Sequence, residues 1–306
     1  MDNAEKIKEL NTQVEQNPTD FNIRRTFALE LIEQGYNEDA LKQLYYLLKH
    51  FPEDTRLHYN IGLVLENLKK FDKAIISYQN ALEISPDEPD FLYNLGYVYL
   101  QIGEIDKAIP FFKRVLQIES DDANSYFNLG YLYSKKNEFE LAIKCLKRAI
   151  ELNPEDKLAH FYIAYCYDKT GQRDICKNHY QQVIELCPDY SWAYFNLGAI
   201  YYEENDLEKA KVYLQKTLEY NPKDENAAII LAKILAQNNN YDEAIILLTN
   251  ALQNNPYNGD MHHTLGHLYK EIGDKMKFIE HLEEAINNKD TLSVEIKQLQ
   301  YEMQNL

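Results

Sequence analysis

Apolar and polar positions along this chain recur in register every 34 residues. A large apolar residue stands directly before a small one at Phe27–Ala28, Ile61–Gly62, Leu95–Gly96, Leu129–Gly130, Ile163–Ala164, Leu197–Gly198, Leu231–Ala232 and Leu265–Gly266. Twelve residues after each small site comes a second: Ala40, Ala74, Ala108, Ala142, Cys176, Ala210 and Ala244, with Phe278 breaking the series in the last unit. Pro18, Pro52, Pro86, Pro154, Pro188, Pro222 and Pro256 keep the same phase, and Ser120 takes the fourth of the eight slots. A proline at that phase ends one helical pair and opens the turn to the next. The two small sites let paired helices approach closely, and the large residues fill the grooves between them. Self-similarity at this period predicts a stack of units that bury their apolar faces only against neighbours.

The segments NLGYVYLQIGEIDKAIPFFKRVLQI at 94–118 and NLGAIYYEENDLEKAKVYLQKTLEYNP at 196–222 resemble the tetratricopeptide repeat (TPR) family. The resemblance runs over nearly the whole chain. It implies an all-α fold: antiparallel helix pairs coiled into a right-handed superhelical solenoid with a concave groove lined by the first helix of each pair. The chain, 1–306, is then expected to be a single solenoid. Residues 2–17 match the second helix of a preceding unit through Ile7, Leu10 and Val14. Eight 34-residue units follow over 21–292. Residues 293–306 form a capping helix through Ile296, Leu299 and Met303, with Gln300 where a small residue would be needed to pack a further unit.

Asp20, Asp54, Asp122, Asp156 and Asp224 each fall two residues after the proline slot and are expected to cap the helix that follows. Pro89 suits a first helical position. Pro110 falls inside a second helix and predicts a kink or a shortened helix there.

Charge narrows the partners. There are 49 acidic against 32 basic residues, a formal net charge of −17. Such a surface repels phosphate, so neither nucleic acid nor anionic membrane is expected as a partner. The same charge argues against the RNA-reading pentatricopeptide repeats, whose period is close. Cys145, Cys166, Cys176 and Cys187 show no paired spacing and are expected as reduced, packed thiols. The start carries no apolar signal core, and the default expectation is a cytoplasmic protein.

The first helices carry a stripe of rings. Tyr59, Tyr93, Phe127, Phe161 and Phe195 hold one phase, and Leu63, Tyr97, Tyr131, Tyr165 and Ala199 lie one turn later on the same face. Trp192 and Tyr202 extend it. An asparagine follows four of the five rings, at Asn60, Asn94, Asn128 and Asn196, and Tyr162 interrupts the series. A carboxamide offers both a donor and an acceptor and can clamp the backbone of an extended peptide. Tyrosines supply rigid apolar area with a polar tip. The asparagines are similar to the ladder in the TPR superhelix of the O-linked N-acetylglucosaminyl transferase, and only the ladder carries over. The rings are expected to meet a ligand. For the asparagines, ligand contact and bonding to a neighbouring helix both stand.

Charges expected on this face nearly cancel: Arg25, Arg56, Lys135, Lys169, Lys233 and Lys270 against Glu33, Glu66, Asp90, Asp168, Glu203, Asp260 and Glu271. A chaperone-tail carboxylate clamp is disfavoured. Arg25 and Asn60 fit two of its places, but Leu29, Asp90 and Asn94 hold the others, and Asp90 repels a carboxylate. His263 and His267 are four apart beside His262, a spacing that can hold Zn²⁺. With only Asp260 as a nearby third ligand, the pair is read as groove-lining histidines. His58, His160 and His262 share one phase and read as packing residues. No metal, cofactor or catalytic motif is expected. The pattern predicts a scaffold or adaptor that binds an extended segment of a partner protein. The alternatives are a self-associating array and the substrate-recruiting subunit of a separately encoded modifying enzyme.

Overall fold

Short turns and regular caps cut the chain into helices of nearly constant length. In the computed structural model, residues 3–304 are described; among them are eighteen α-helices, one 3-10 turn and no strand. The chain forms two compact bodies, residues 1–154 and 155–306.

In the first body, α1 (Asn3–Gln16) precedes four helix pairs: α2 (Phe21–Glu33) with α3 (Asn37–His50), α4 (Thr55–Asn67) with α5 (Phe71–Ile84), α6 (Pro89–Gln101) with α7 (Ile105–Ile118), and α8 (Ala123–Lys135) with α9 (Phe139–Leu152). In the second, α10 (Lys157–Lys169) pairs with α11 (Arg173–Leu186), α12 (Ser191–Glu203) with α13 (Leu207–Tyr220), α14 (Glu225–Gln237) with α15 (Tyr241–Asn254), and α16 (Gly259–Glu271) with α17 (Lys275–Asn287). A 3-10 turn, Lys289–Thr291, leads to α18 (Ile296–Gln304).

The turn inside each pair has one solution, a residue with left-handed backbone just past the first helix. Gly35, Gly103, Gly171 and Gly273 supply it without steric cost. Asn137, Asn205 and Asn239 supply it in three more units, and Lys69 in the remaining one at φ 59°. The expected aspartate caps are present. Asp20, Asp54, Asp122, Asp156 and Asp224 each accept from backbone N–H groups of the first turn. Glu88 makes no such bond, and there Pro89 occupies the first turn, where a missing N–H costs nothing.

The small sites hold the pairs together. A Cβ added at Gly62 would stand 2.6 Å from the Tyr78 ring, at Gly130 2.5 Å from Leu146 Cγ, and at Gly198 2.8 Å from Leu214 Cγ. The opposing side chains therefore occupy the volume that any larger residue would need. In the first body the core runs from Val14 through Leu44, Ile61 and Tyr78 to Val98, with Ile7 and Leu10 of α1 packed against it. The N-terminal helix thus covers the first pair as the missing second helix of a preceding unit would. In the second body, one cluster joins Leu214, Leu231 and Leu265. A terminal cluster joins Phe278, Leu282 and Ala285 of α17 to Leu299 of α18. Phe278 is fully buried there, so the large residue that breaks the small-site series is part of the terminal core.

Of the kink or shortened helix expected at Pro110, the shortening does not occur. α7 runs unbroken for 14 residues, as α3, α5 and α9 do. Pro110 and Asp106 both lie on the exposed side, where water can serve the Asp106 carbonyl that the proline leaves without its helical donor.

Candidate functional site

In the first body the ring stripe lies along the first helices. Tyr59, Asn60, Leu63, Tyr93, Asn94, Phe127 and Tyr131 are half-buried, Tyr97 is exposed, and Asn128 is buried. Tyr93 and Tyr97 stack with their planes 9° apart and centroids 6.3 Å apart. The Lys135 ammonium sits 5.3 Å from the centre of the Tyr131 ring. The deeper rings also pack within the scaffold. Tyr59 stacks on Phe91 at 4.8 Å, and Tyr93 meets Phe112 edge-on at 5.5 Å.

Asn94 and Asn128 are engaged by their own scaffold. Asn94 Nδ2 donates to the Tyr59 hydroxyl at 3.1 Å and to the Asp90 carbonyl at 2.7 Å. Asn128 Nδ2 donates to the Tyr93 hydroxyl at 3.0 Å. Both tyrosine bonds join residues 35 apart, so each links one first helix to the next. Burial raises the Tyr59 and Tyr93 hydroxyls above the usual phenol range, and the amide hydrogen bonds offset part of that shift. Arg25, one of the two residues that fit a carboxylate clamp, is paired with Asp54 at 2.7 Å.

In the second body Phe161, Tyr165, Phe195, Asn196 and Tyr202 are half-buried, and Trp192 is 56% exposed. Phe161, one unit before Asn196, has no hydroxyl to offer. Asn196 Nδ2 instead donates back to the Trp192 carbonyl at 2.7 Å.

Phe195 and Tyr202 open onto a cleft of about 690 Å³. Ile229, Ile230, Ala236, Leu268 and Val294 give it an apolar floor. Lys233, Asp260 and Glu271 set both signs of charge at its edge, as expected of this face, and His263 and His267 line it as well. The cleft itself was not foreseen. Its signal was the repeat phase, since Ile229 with Lys233 and His263 with His267 hold the two slots that Tyr93 and Tyr97 hold earlier. Asp260 is not free to turn to the histidines with both oxygens: its Oδ1 accepts from Ser293 N at 2.7 Å and Ser293 Oγ at 2.9 Å. Burial, with His267 beside it, pushes the His263 imidazole below its usual range. His262, behind this face, packs against His281 and meets the Pro256 carbonyl at 3.1 Å, which fits a packing residue.

Profiles of the tetratricopeptide repeat match residues 2–58, 67–103, 89–122, 123–156, 158–190, 191–224 and 259–290. The chain belongs to the tetratricopeptide repeat family. No curated protein matches it significantly. Among solved structures, this TPR protein is similar to MamA at 30% identity and TM-score 0.51, over 54% of this chain and 97% of MamA. It is similar at 26% identity and TM-score 0.54 to YrrB, a TPR protein with an unusual peptide-binding site, over 60% of this chain and 95% of YrrB. PilF of Pseudomonas aeruginosa shares the fold at 17% identity and TM-score 0.57, over 66% of this chain and 92% of PilF. The architecture is that of a protein-interaction scaffold. No helix among the described residues is long and apolar enough to cross a membrane.

Proposed function

We propose that this TPR chain binds an extended segment of a partner protein against the ring-bearing faces of its first helices, and that the cleft beside Phe195 and Tyr202 is the principal seat. The cleft carries the proposal. It combines an apolar floor with polar and charged groups of both signs, which can hold an apolar side chain and the polar backbone beside it. Its size suits one or two apolar side chains of a bound segment. Lys233 and Glu271, both lining the cleft, favour a segment of mixed rather than uniform charge. The peptide-binding site named for YrrB supports the same kind of ligand.

A displayed library of short unstructured peptides, selected on the full chain, tests this. Selected peptides are expected to carry one or two large apolar residues and to lose binding at least ~10-fold on Tyr202→Ala and on Lys233→Glu, the loss of about one contact worth 1.4 kcal/mol. Peptides whose binding ignores both changes would place the seat elsewhere. Light scattering across a concentration series addresses the self-association alternative, which requires mass to rise with concentration.

A further inference from the structure

The structure supplies what the sequence did not show beside His263 and His267. We propose that these two histidines and Glu302 of α18 form a Zn²⁺ site that ties the terminal helix to the last full repeat.

The two histidines are one turn apart on α16, and their Nε2 atoms converge to 3.1 Å. Glu302 Oε2 lies 3.1 Å from His267 Nε2, and the three ligand atoms all fall within 4.8 Å of one another. Ligand atoms about 2.0–2.1 Å from a tetrahedral Zn²⁺ stand roughly 3.3 Å apart, so the two short separations suit a shared ion. Phe278 braces the set from below, its ring edge-on to His267 at 5.9 Å.

Glu302 is the informative member. By repeat phase it shares the slot of Glu30, whose buried carboxylate is met by Lys6 in the first unit, while other first helices fill that slot with residues such as Val64, Val98, Leu132, Ile234 and Leu268. Those apolar residues are all buried. A carboxylate in an apolar slot is costly unless a cation meets it. Its Oε2 is buried and makes no hydrogen bond, although His267 is close. A protonated His267 paired with Glu302 would be the simpler arrangement. It would leave His263 Nε2 at 3.1 Å from the same His267 nitrogen, so that one N–H would have to be shared between two acceptors. A divalent cation satisfies all three lone pairs together. The residue after His263 is Thr264, not the glutamate of the hydrolytic HExxH pattern, so the ion would serve structure or control rather than hydrolysis. The inference concerns three side chains and does not depend on a peptide in the cleft.

The test uses the full chain, freed of metal by chelator, without peptide. Calorimetry with Zn²⁺ is expected to show one ion per chain. Glu302→Gln and His263→Asn should each weaken binding by at least ~10-fold, the lower end of what even outer-shell changes cost. Co²⁺ is expected to give a tetrahedral visible spectrum without a thiolate charge-transfer band. Zn²⁺ should also slow amide exchange across 296–304 in the parent chain but not in Glu302→Gln. Circular dichroism of both variants confirms folding, and the histidine variant decides if the glutamate variant unfolds. Absence of stoichiometric binding, a Glu302→Gln affinity equal to the parent's, or a thiolate band would each overturn the site.

Discussion

Asn128 of α8 donates its side-chain N–H to the Tyr93 hydroxyl of α6 at 3.0 Å, and Asn94 repeats the bond to Tyr59 one unit earlier. An amide series that reads as a peptide clamp is therefore also a set of struts between successive first helices. Asn128 is 5% exposed, so its donor has little access to water if the hydroxyl is lost. Tyr93→Phe and Asn128→Ala are each expected to cost about 1–2 kcal/mol of stability in denaturant unfolding, with a favourable coupling in the double variant. Asn196 bonds only within its own helix, and Asn196→Ala should stay within about 0.5 kcal/mol. Equal effects at Asn128 and Asn196 would remove the strut role.

Gly130 tests the close approach of paired helices. Alanine is favoured over glycine in a helix by about 1 kcal/mol. Here its Cβ would stand 2.5 Å from Leu146 Cγ and 3.3 Å from the Ala142 carbonyl. Gly130→Ala is expected to destabilise by about 1–3 kcal/mol net. In a Leu146→Ala background the overlap disappears, and the same change should be neutral or stabilising. A stabilised single variant would show that the pair can open freely.

Lys69 stands where other units place glycine or asparagine. Its φ of 59° is unfavourable for a side chain with a Cβ, at about 1–2 kcal/mol. Lys69→Gly should therefore raise stability by about 0.5–1 kcal/mol, after the extra chain entropy of glycine is counted. Gly103→Ala, at φ 78° with nothing within 4 Å of an added Cβ, should instead destabilise. Thermal melts of the two variants moving in the same direction would contradict this account of the turn.

Alkaline pH probes the core. Burial pushes the Cys166 and Cys176 thiols up to about 12 from an ordinary 9.0. It also raises the buried Tyr78 and Tyr180 hydroxyls. The unfolded chain gives up these protons first. The stability they contribute is thus complete below pH ~9 and falls as pH rises toward 12. Denaturant midpoints measured from pH 8 to 11 should decline steadily, more steeply above pH 10 as tyrosine joins. A thiol reagent at pH 8 should leave Cys166 and Cys176 unmodified in the folded chain. A flat stability profile, or rapid labelling of both, would show that these groups are wetter than the packing indicates.

Periodicity along the chain determined the helices, their pairing and their turns, because each rests on residues close in sequence. Proline, aspartate cap, small site and left-handed turn residue act within one unit, and eight repetitions make the pattern hard to mistake. It also put the rings and the histidines on one face of the first helices, since residues four apart share a face. Pro110 marks where local reasoning overreached: a missing N–H on the exposed side does not stop a helix whose other face is packed against its neighbours.

Only the tertiary structure decided what meets across units. That Asn128 reaches Tyr93, that Asn196 turns back to its own helix, and that Glu302 comes to His267 depend on the spacing and rotation of stacked helices. One residue of phase selects between a core slot and a partner's side chain. Likewise, the cleft at Phe195 is lined by Ile229, Leu268 and Val294, which come from three separate segments of the chain. The composition of a wall can be read from one strand of sequence, but the gap between two walls belongs to their packing.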